Sequence, residues 1–271
     1  MPTLTLVTVA LESIAPLRLA ADWDSVGLLV GTRRPEIDRV MTCLSLTPEV
    51  AAEAVREQAH LVVTHHPLPF RPVPRVTADT TTGRVLLELI GAEIAVWSPH
   101  TAWDSAAGGI NDQLATLLGL DHVSPLEPDA LLPLAGFGRA GSAPADWTVA
   151  QLARQIAARL GVRGVQVAGD SNCLAGRVGI VCGSGGDSLA VAGQAGCTTL
   201  LTGELKLHQA LEAQALGLTV IAVGHHASER FSMEVLARRL TEIVPGLTCW
   251  ASRDESDPFS WLEIEQTAVA K

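Results

Sequence analysis

The chain has 271 residues, of which 48% are apolar and 18% charged, with 19 basic against 29 acidic side chains and a formal charge of −10. That is enough apolar material for one large or two medium domains, and it excludes a disordered, low-complexity chain. The acidic balance disfavours nucleic acid, which needs clustered Lys and Arg, and no apolar run approaches the roughly 20 residues of a membrane span.

The start, Met1-Pro2-Thr3-Leu4, lacks the basic opening of a signal peptide, so the expected setting is the cytosol. Cys43, Cys173, Cys182, Cys197 and Cys249 are odd in number and scattered, with no CxxC pair. They read as free, buried thiols.

In chain order, a helix opens at Thr3, with Val7, Leu11 and Ile14 on one face and Pro16 closing it. A loop over 22–31 enters a strand. A strand is predicted over 40–46, then a helix from Pro48 to about His60, with Pro48 in the first turn where its missing N–H costs nothing. A strand over 61–64 ends at His65 and His66. A helix over 83–91, a strand over 94–97, the segment from His100 to Asp104, a turn at Gly108-Gly109 and a helix over 111–118 follow.

A stretch rich in Pro, Gly and Ala marks a domain boundary near 126. Beyond it come a helix over 148–160, strands near Val165 and over 178–181, and the turn Gly183-Ser184-Gly185-Gly186. A helix, a strand over 198–202, a helix holding His208, a strand over 218–223 and a last helix complete the pattern. Alternating strands and helices predict two similar α/β domains, 1–126 and 127–271. Their central sheets are mostly parallel or mixed and flanked by helices, and the C-terminal helix and strand pack back on the first domain.

Candidate chemistry lies just beyond strand ends, where functional loops of such sheets lie. His65 and His66 end one strand, Asp104 follows a second and His225 follows a third. Positions 225, 229, 232, 236, 240 and 243 share one helical stripe reading His, Glu, Ser, Leu, Leu, Ile. The apolar end of that stripe turns Glu229 inward, where an unpaired carboxylate is costly. Each signal has an ordinary explanation: a strand-capping histidine pair, a turn aspartate, a surface i, i+4 pair. Their coincidence points to a metal site. Three imidazoles and two carboxylates suit two divalent ions bridged by a carboxylate, roughly 3.5–4 Å apart. Mixed nitrogen and oxygen donors suit Zn, Mn or Fe.

The Gly183-Ser184-Gly185-Gly186 turn lacks the Lys and Ser/Thr of a phosphate loop and reads as a tight turn. No G-x-S-x-G elbow is present. Asp254, Glu255 and Asp257 read as solvated surface.

Five segments together resemble the NIF-three-like family, whose members carry the name GTP cyclohydrolase 1 type 2. They are Trp23-Asp24-Ser25-Val26-Gly27-Leu28-Leu29-Val30-Gly31, Thr64-His65-His66-Pro67, His100 to Asp104 with Gly108-Gly109-Ile110-Asn111-Asp112, Thr202-Gly203-Glu204, and Gly224-His225-His226-Ala227-Ser228-Glu229-Arg230. The resemblance implies a dinuclear metal site at the interface of two α/β domains, with His65, His66, Asp104, His225 and Glu229 as ligands. It also implies a ring-shaped homohexamer, and it places His100 and His208 near the ions. Ser45, Ser25 and Trp103 depart from the family pattern, where Asp, Asn and a smaller residue are common.

The leading expectation is a metal-dependent hydrolase of a small molecule, with His100 or His208 moving the proton. The family naming implies a nucleotide or pterin-like heterocycle as substrate. The alternatives are a non-enzymatic regulatory or metal-trafficking protein, and a structural oligomer with a vestigial site.

Overall fold

Local capping starts the chain. In the computed structural model, which describes residues 1–262, helix α1 spans Leu4–Ile14. The Thr3 hydroxyl accepts from the Leu6 N–H at 3.3 Å, and Val7, Ala10, Leu11 and Ile14 form the buried face. Burying such side chains contributes about 1.5–3 kcal/mol for each large one. There follow β1 (Gly27–Val30), β2 (Arg39–Cys43), α2 (Pro48–Arg56), β3 (Leu61–Thr64), α3 (Thr81–Gly91), β4 (Ala95–Ser98), α4 (Thr101–Ser105) and α5 (Ile110–Leu118).

Two boundaries differ from expectation for physical reasons. Helix α2 stops at Arg56 because Gln58 turns back with φ +54° and the Ala59 N–H bonds the Ala54 carbonyl at 2.8 Å. Strand β2 stops at Cys43 because the Leu44 and Ser45 N–H groups bond the Glu255 carboxylate.

The second half holds β5 (Asp121–Ser124), β6 (Glu127–Pro128), β7 (Gly136–Phe137), β8 (Arg139–Ser142), α6 (Val149–Leu160), β9 (Gln166–Ala168), β10 (Arg177–Val181), α7 (Leu189–Gln194), β11 (Thr199–Thr202), α8 (Leu207–Ala215), β12 (Thr219–Ala222), α9 (His225–Glu229), α10 (Ser232–Ile243) and β13 (Thr248–Ala251). Helix α6 carries a capping box between Thr148 and Gln151. Strands β5 to β8 escape the sequence pattern because they are short and lack period-two alternation. The expected single last helix is two: the i, i+4 ladder breaks at Arg230, where the Met233 N–H bonds the Arg230 carbonyl three residues back. Ser232, Leu236 and Leu240 of the stripe are buried, while Ile243 is exposed.

The fold is α/β with mixed sheets flanked by helices. One sheet runs β1-β4-β3-β2-β13 and is parallel except for β1. A second runs β5-β8-β10-β11-β12-β9, with β10, β11 and β12 parallel and the rest antiparallel, and β6 and β7 form a separate antiparallel pair. Strand β13 therefore returns to the first sheet beside β2, and α10 packs on both. All of β3, β4, β11 and β12 is buried, as parallel strands covered on both faces require. One apolar cluster joins Leu61, Val63 and Trp97 of the first sheet to Val178, Ile180 and Leu201 of the second. No helix among the described residues is long and apolar enough to cross a membrane.

Arg139 ties the loop after α4 to β8. Its guanidinium, only 1% exposed, donates to both Asp112 oxygens and to the Ala106, Gly136 and Gly138 carbonyls. Removing Arg139 leaves the partly exposed Asp112 carboxylate without its counter-charge, so Arg139→Ala is expected to lower stability by less than the ~3–5 kcal/mol of a fully buried pair. Urea unfolding measures this, and Arg139→Lys should recover only part because an ammonium cannot reproduce the planar fork.

Candidate metal centre

His65 and His66 follow β3 at its carboxyl end, where the chain bends. The His65 N–H bonds the Cys43 carbonyl at 2.9 Å, and the Ser98 hydroxyl donates to the His65 carbonyl at 2.7 Å. These bonds fix the backbone that carries both rings. His100 precedes α4 with φ +35° and ψ −120°, outside the regions non-glycine residues ordinarily populate. Helix α4 presents Asp104. Gly224 (φ +99°) turns the chain from β12 into α9, which carries His225 and Glu229 one turn apart.

Six of the seven expected residues come together. Glu229 Oε2 lies 3.2 Å from Nε2 of His66 and 3.2 Å from Nε2 of His225. Glu229 Oε1 is 3.9 Å from His65 Nε2, which is 3.6 Å from Asp104 Oδ1. These atoms are near one another without hydrogen bonding: neither ring nitrogen of fully buried His65, nor Glu229 Oε2, has a hydrogen-bond partner. Buried polar atoms are nearly always paired. Donor atoms of His66, His225 and Glu229 lie within 4.8 Å of one another, as do those of His65, His66 and His100. Such groups could hold metal ions. His208 is not brought in: it is exposed on α8, with no hydrogen bond or ion pair to the cluster among the described residues.

Partners behind the rings aim them. His100 Nδ1 is 2.8 Å from Asp24 Oδ1, and Asp24 Oδ2 accepts from the Thr101 N–H and hydroxyl. Ser45 Oγ is 2.8 Å from His66 Nδ1, and Glu204 Oε1 is 3.3 Å from His225 Nδ1. The Cys182 thiol donates to Asp104 Oδ1 at 3.2 Å. A polar partner on one ring nitrogen leaves the other for a metal. Asp24, Glu204 and Cys182 were missed by sequence reasoning. Asp24 and Glu204 sit in the quoted motifs, yet 76 residues separate Asp24 from His100 and no local pattern joins them. Trp103 is buried and donates to Ser232 Oγ at 2.9 Å, so its indole is part of the core.

Gly183, with φ +60°, abuts the cluster: a Cβ there would collide with Glu229 Oε1 and lie 3.2 Å from His225 Nε2. The glycine turn thus serves close approach. A cavity of about 420 Å³, lined by Arg18, Trp23, Thr101, Asp104, Phe137 and Cys182 among others, opens beside Asp104.

Charge is unevenly shared. Burial, aided by the Glu229 charge, pushes Asp104 up to about 7. Burial also works to raise Glu229, but contact with His225 and His66 outweighs it and holds Glu229 well below the usual carboxylate range. Burial drives His65 well down, so it stays neutral. Glu229 raises His225 to about 9 against the effect of burial.

Residues 2–258 match the family described as Duf34/NIF3 (NGG1p interacting factor 3). A Streptomyces coelicolor protein named GTP cyclohydrolase 1 type 2 homolog is 38% identical, over 96% of this chain and 94% of its own. A Clostridium perfringens protein of the same name is 34% identical, over 93% and 97%. NIF3-like protein 1 of Drosophila melanogaster is 33% identical, over 88% and 83%. The solved structure of a Bacillus cereus protein related to NIF3 superposes with a TM-score of 0.89 at 22% identity, over 96% of this chain and 99% of that one. A Staphylococcus aureus structure gives 0.87 at 26% identity, over 96% and 99%.

The raised His225 value fixes a pH dependence for the metal-free protein. A folded value near 9 against an ordinary 6.5 means the folded state binds more proton between them. The associated stability is complete below about 6.5 and is lost as pH rises through about 9. Asp104, raised to about 7, loses stability in the same direction as pH rises through 7, and the raised cysteines act only above about 8.5. The melting temperature should therefore fall from pH 7 to 8.5 in the wild type, and this fall should be smaller in His225→Ala, which keeps only the Asp104 share. Thermal melts in chelator measure it.

Proposed function

The chain belongs to the Duf34/NIF3 family, and we propose that it is a metal-dependent hydrolase of a small nitrogen heterocycle. Two divalent ions, Zn, Mn or Fe, are held by His65, His66, Asp104, His225 and Glu229 in this reading. The observation that carries it is Glu229 Oε2, buried, 3.2 Å from two imidazole nitrogens and hydrogen-bonded to neither. A cation among these donors removes the cost of leaving them unpaired. The donor set fits borderline divalent ions, and the thiol of Cys182 points its hydrogen at Asp104.

Divalent ions there supply Lewis acidity, activating water near neutral pH and polarising the carbon under attack. His100 does the proton work. Asp24 engages its Nδ1 and remains ionised, because hydrogen bonds from His100 and Thr101 outweigh the effect of burial. The other ring nitrogen is then free to take a proton from water and return it to the leaving nitrogen. This role falls to His100 in preference to exposed His208. The cavity beside Asp104 is of a size for one heterocycle, with Trp23 and Phe137 on its walls to receive a planar ring. The relatives' name, GTP cyclohydrolase 1 type 2 homolog, supports a purine nucleotide as substrate class.

The same reading includes a homo-oligomer, a ring of six copies. Exposed Leu207 and Leu211, one turn apart on α8, offer apolar surface for it. A single-chain mass by light scattering would remove that part.

A second reading is a non-enzymatic metal carrier or regulator. It is favoured by the partial exposure of His66 and His225, at 28% and 34%, which lets ions exchange with solvent.

Metal content and turnover decide between them. About two ions per wild-type chain are expected, with loss in Glu229→Ala. His100→Ala should keep its ions while kcat on GTP falls by about 10²–10⁴-fold. Bound ions with no turnover on purines or pteridines would favour the carrier, and failure to take up any ion would reject both readings.

A further inference from the structure

Glu255 lies in a charged stretch that reads as solvated surface, yet its side chain is only 3% exposed. Its carboxylate accepts from the Leu44 N–H at 2.9 Å and the Ser45 N–H at 2.6 Å, and pairs with Arg230 Nε at 2.6 Å. Each partner adjoins the cluster. Ser45 Oγ touches His66 Nδ1 at 2.8 Å. Arg230 follows Glu229 directly in the chain.

The segment bearing Glu255 is held in turn. Glu53 of α2, 1% exposed, accepts from the Ser252 hydroxyl and from the Arg253 and Asp254 N–H groups at 3.0 and 3.2 Å. Arg230 Nη2 donates to the Ser252 carbonyl at 2.6 Å. Two buried carboxylates thus clasp each other's backbones. Glu53 takes amides of the segment after β13, and Glu255 takes amides of the segment after β2. Charge-assisted bonds in a low-dielectric setting are short and strong, and a fully satisfied network is rigid.

We propose that Glu255 is a positioning residue for the metal centre, orienting His66 through Ser45 and Glu229 through Arg230. This rests on the reading of His66 and Glu229 as ligands. It also gives Ser45 a role: its hydroxyl engages Nδ1 and leaves Nε2 of His66 for the ion. With Glu255 removed, the Leu44 and Ser45 amides lose their acceptor and Arg230 its counter-charge, so the loop that aims His66 is released.

The test uses full-length protein and cobalt(II), whose visible absorption bands report ligand geometry. Ser45→Ala and Glu255→Ala should each weaken cobalt binding by about 10–100-fold and shift the bands. The double variant should bind as Glu255→Ala does, because both changes act through His66. Glu255→Gln, which keeps one acceptor oxygen, should fall between. Additive losses, or wild-type bands and affinity in Glu255→Ala, overturn the proposal. If Glu255→Ala does not fold, Ser45→Ala and Glu255→Gln decide: wild-type behaviour in both overturns it. If the wild type takes up no cobalt, the ligand reading itself fails. The relay is then read from the imidazole ¹⁵N resonances of His66 in metal-free protein. They should move alike in Ser45→Ala and Glu255→Ala, and unmoved signals in Glu255→Ala overturn the relay.

Discussion

A carboxylate kept from water without a hydrogen-bond partner on one of its oxygens is the constraint around which this molecule is arranged. Glu229 is 3% exposed, and its Oε2 has no bonded partner. In a medium of low dielectric such a group persists only if positive charge is gathered around it. The first sheet brings His66 and neutral His65 against it, and α9 brings His225, whose raised value keeps it charged. Gly183, at the carboxyl end of β10, has no side chain because the carboxylate needs the space.

The two sheets share one apolar core, so the meeting point is set by packing as well as by charge. Close-packed cores do not deform continuously. The strand ends that carry the cluster are anchored to that core. The polar partners behind the rings complete this: Asp24 for His100, Ser45 for His66 and Glu204 for His225. A cation bound by the folded state and absent from the unfolded chain adds to stability by mass action. On the proposed reading folding and metal loading are linked, and a metal ion would relieve the unpaired atoms of His65 and Glu229.

The cavity bears on chemistry in a way the cluster does not. Its walls carry Trp23 and Phe137, and Arg18, its one cationic side chain among the described residues, is held by both oxygens of Asp129. On the proposed reading, recognition of an anionic group falls to ions in the cluster, and recognition of a flat ring to the aromatic walls. The histidine–carboxylate cluster and the cavity share Asp104.

Much was legible in the sequence where the physics is local. Strand β3 ends before His65 because an apolar run ends there, and His225 and Glu229 share a face because helical spacing places them so. The capped starts of α1 and α2 were readable from Thr3 and from Pro48, and the mixed α/β class from the alternation of elements. What sequence could not settle is set by contacts between distant segments. The pairing of β13 with β2, the burial of Glu255 against amides 210 and 211 residues away, and the bond from Asp24 to His100 leave no periodic trace. Residue type and spacing determine which groups have metal-binding chemistry and which face of an element they occupy. Only the tertiary structure decides which of them converge, because convergence depends on the path of the whole chain and on burial that makes an unpaired charge expensive.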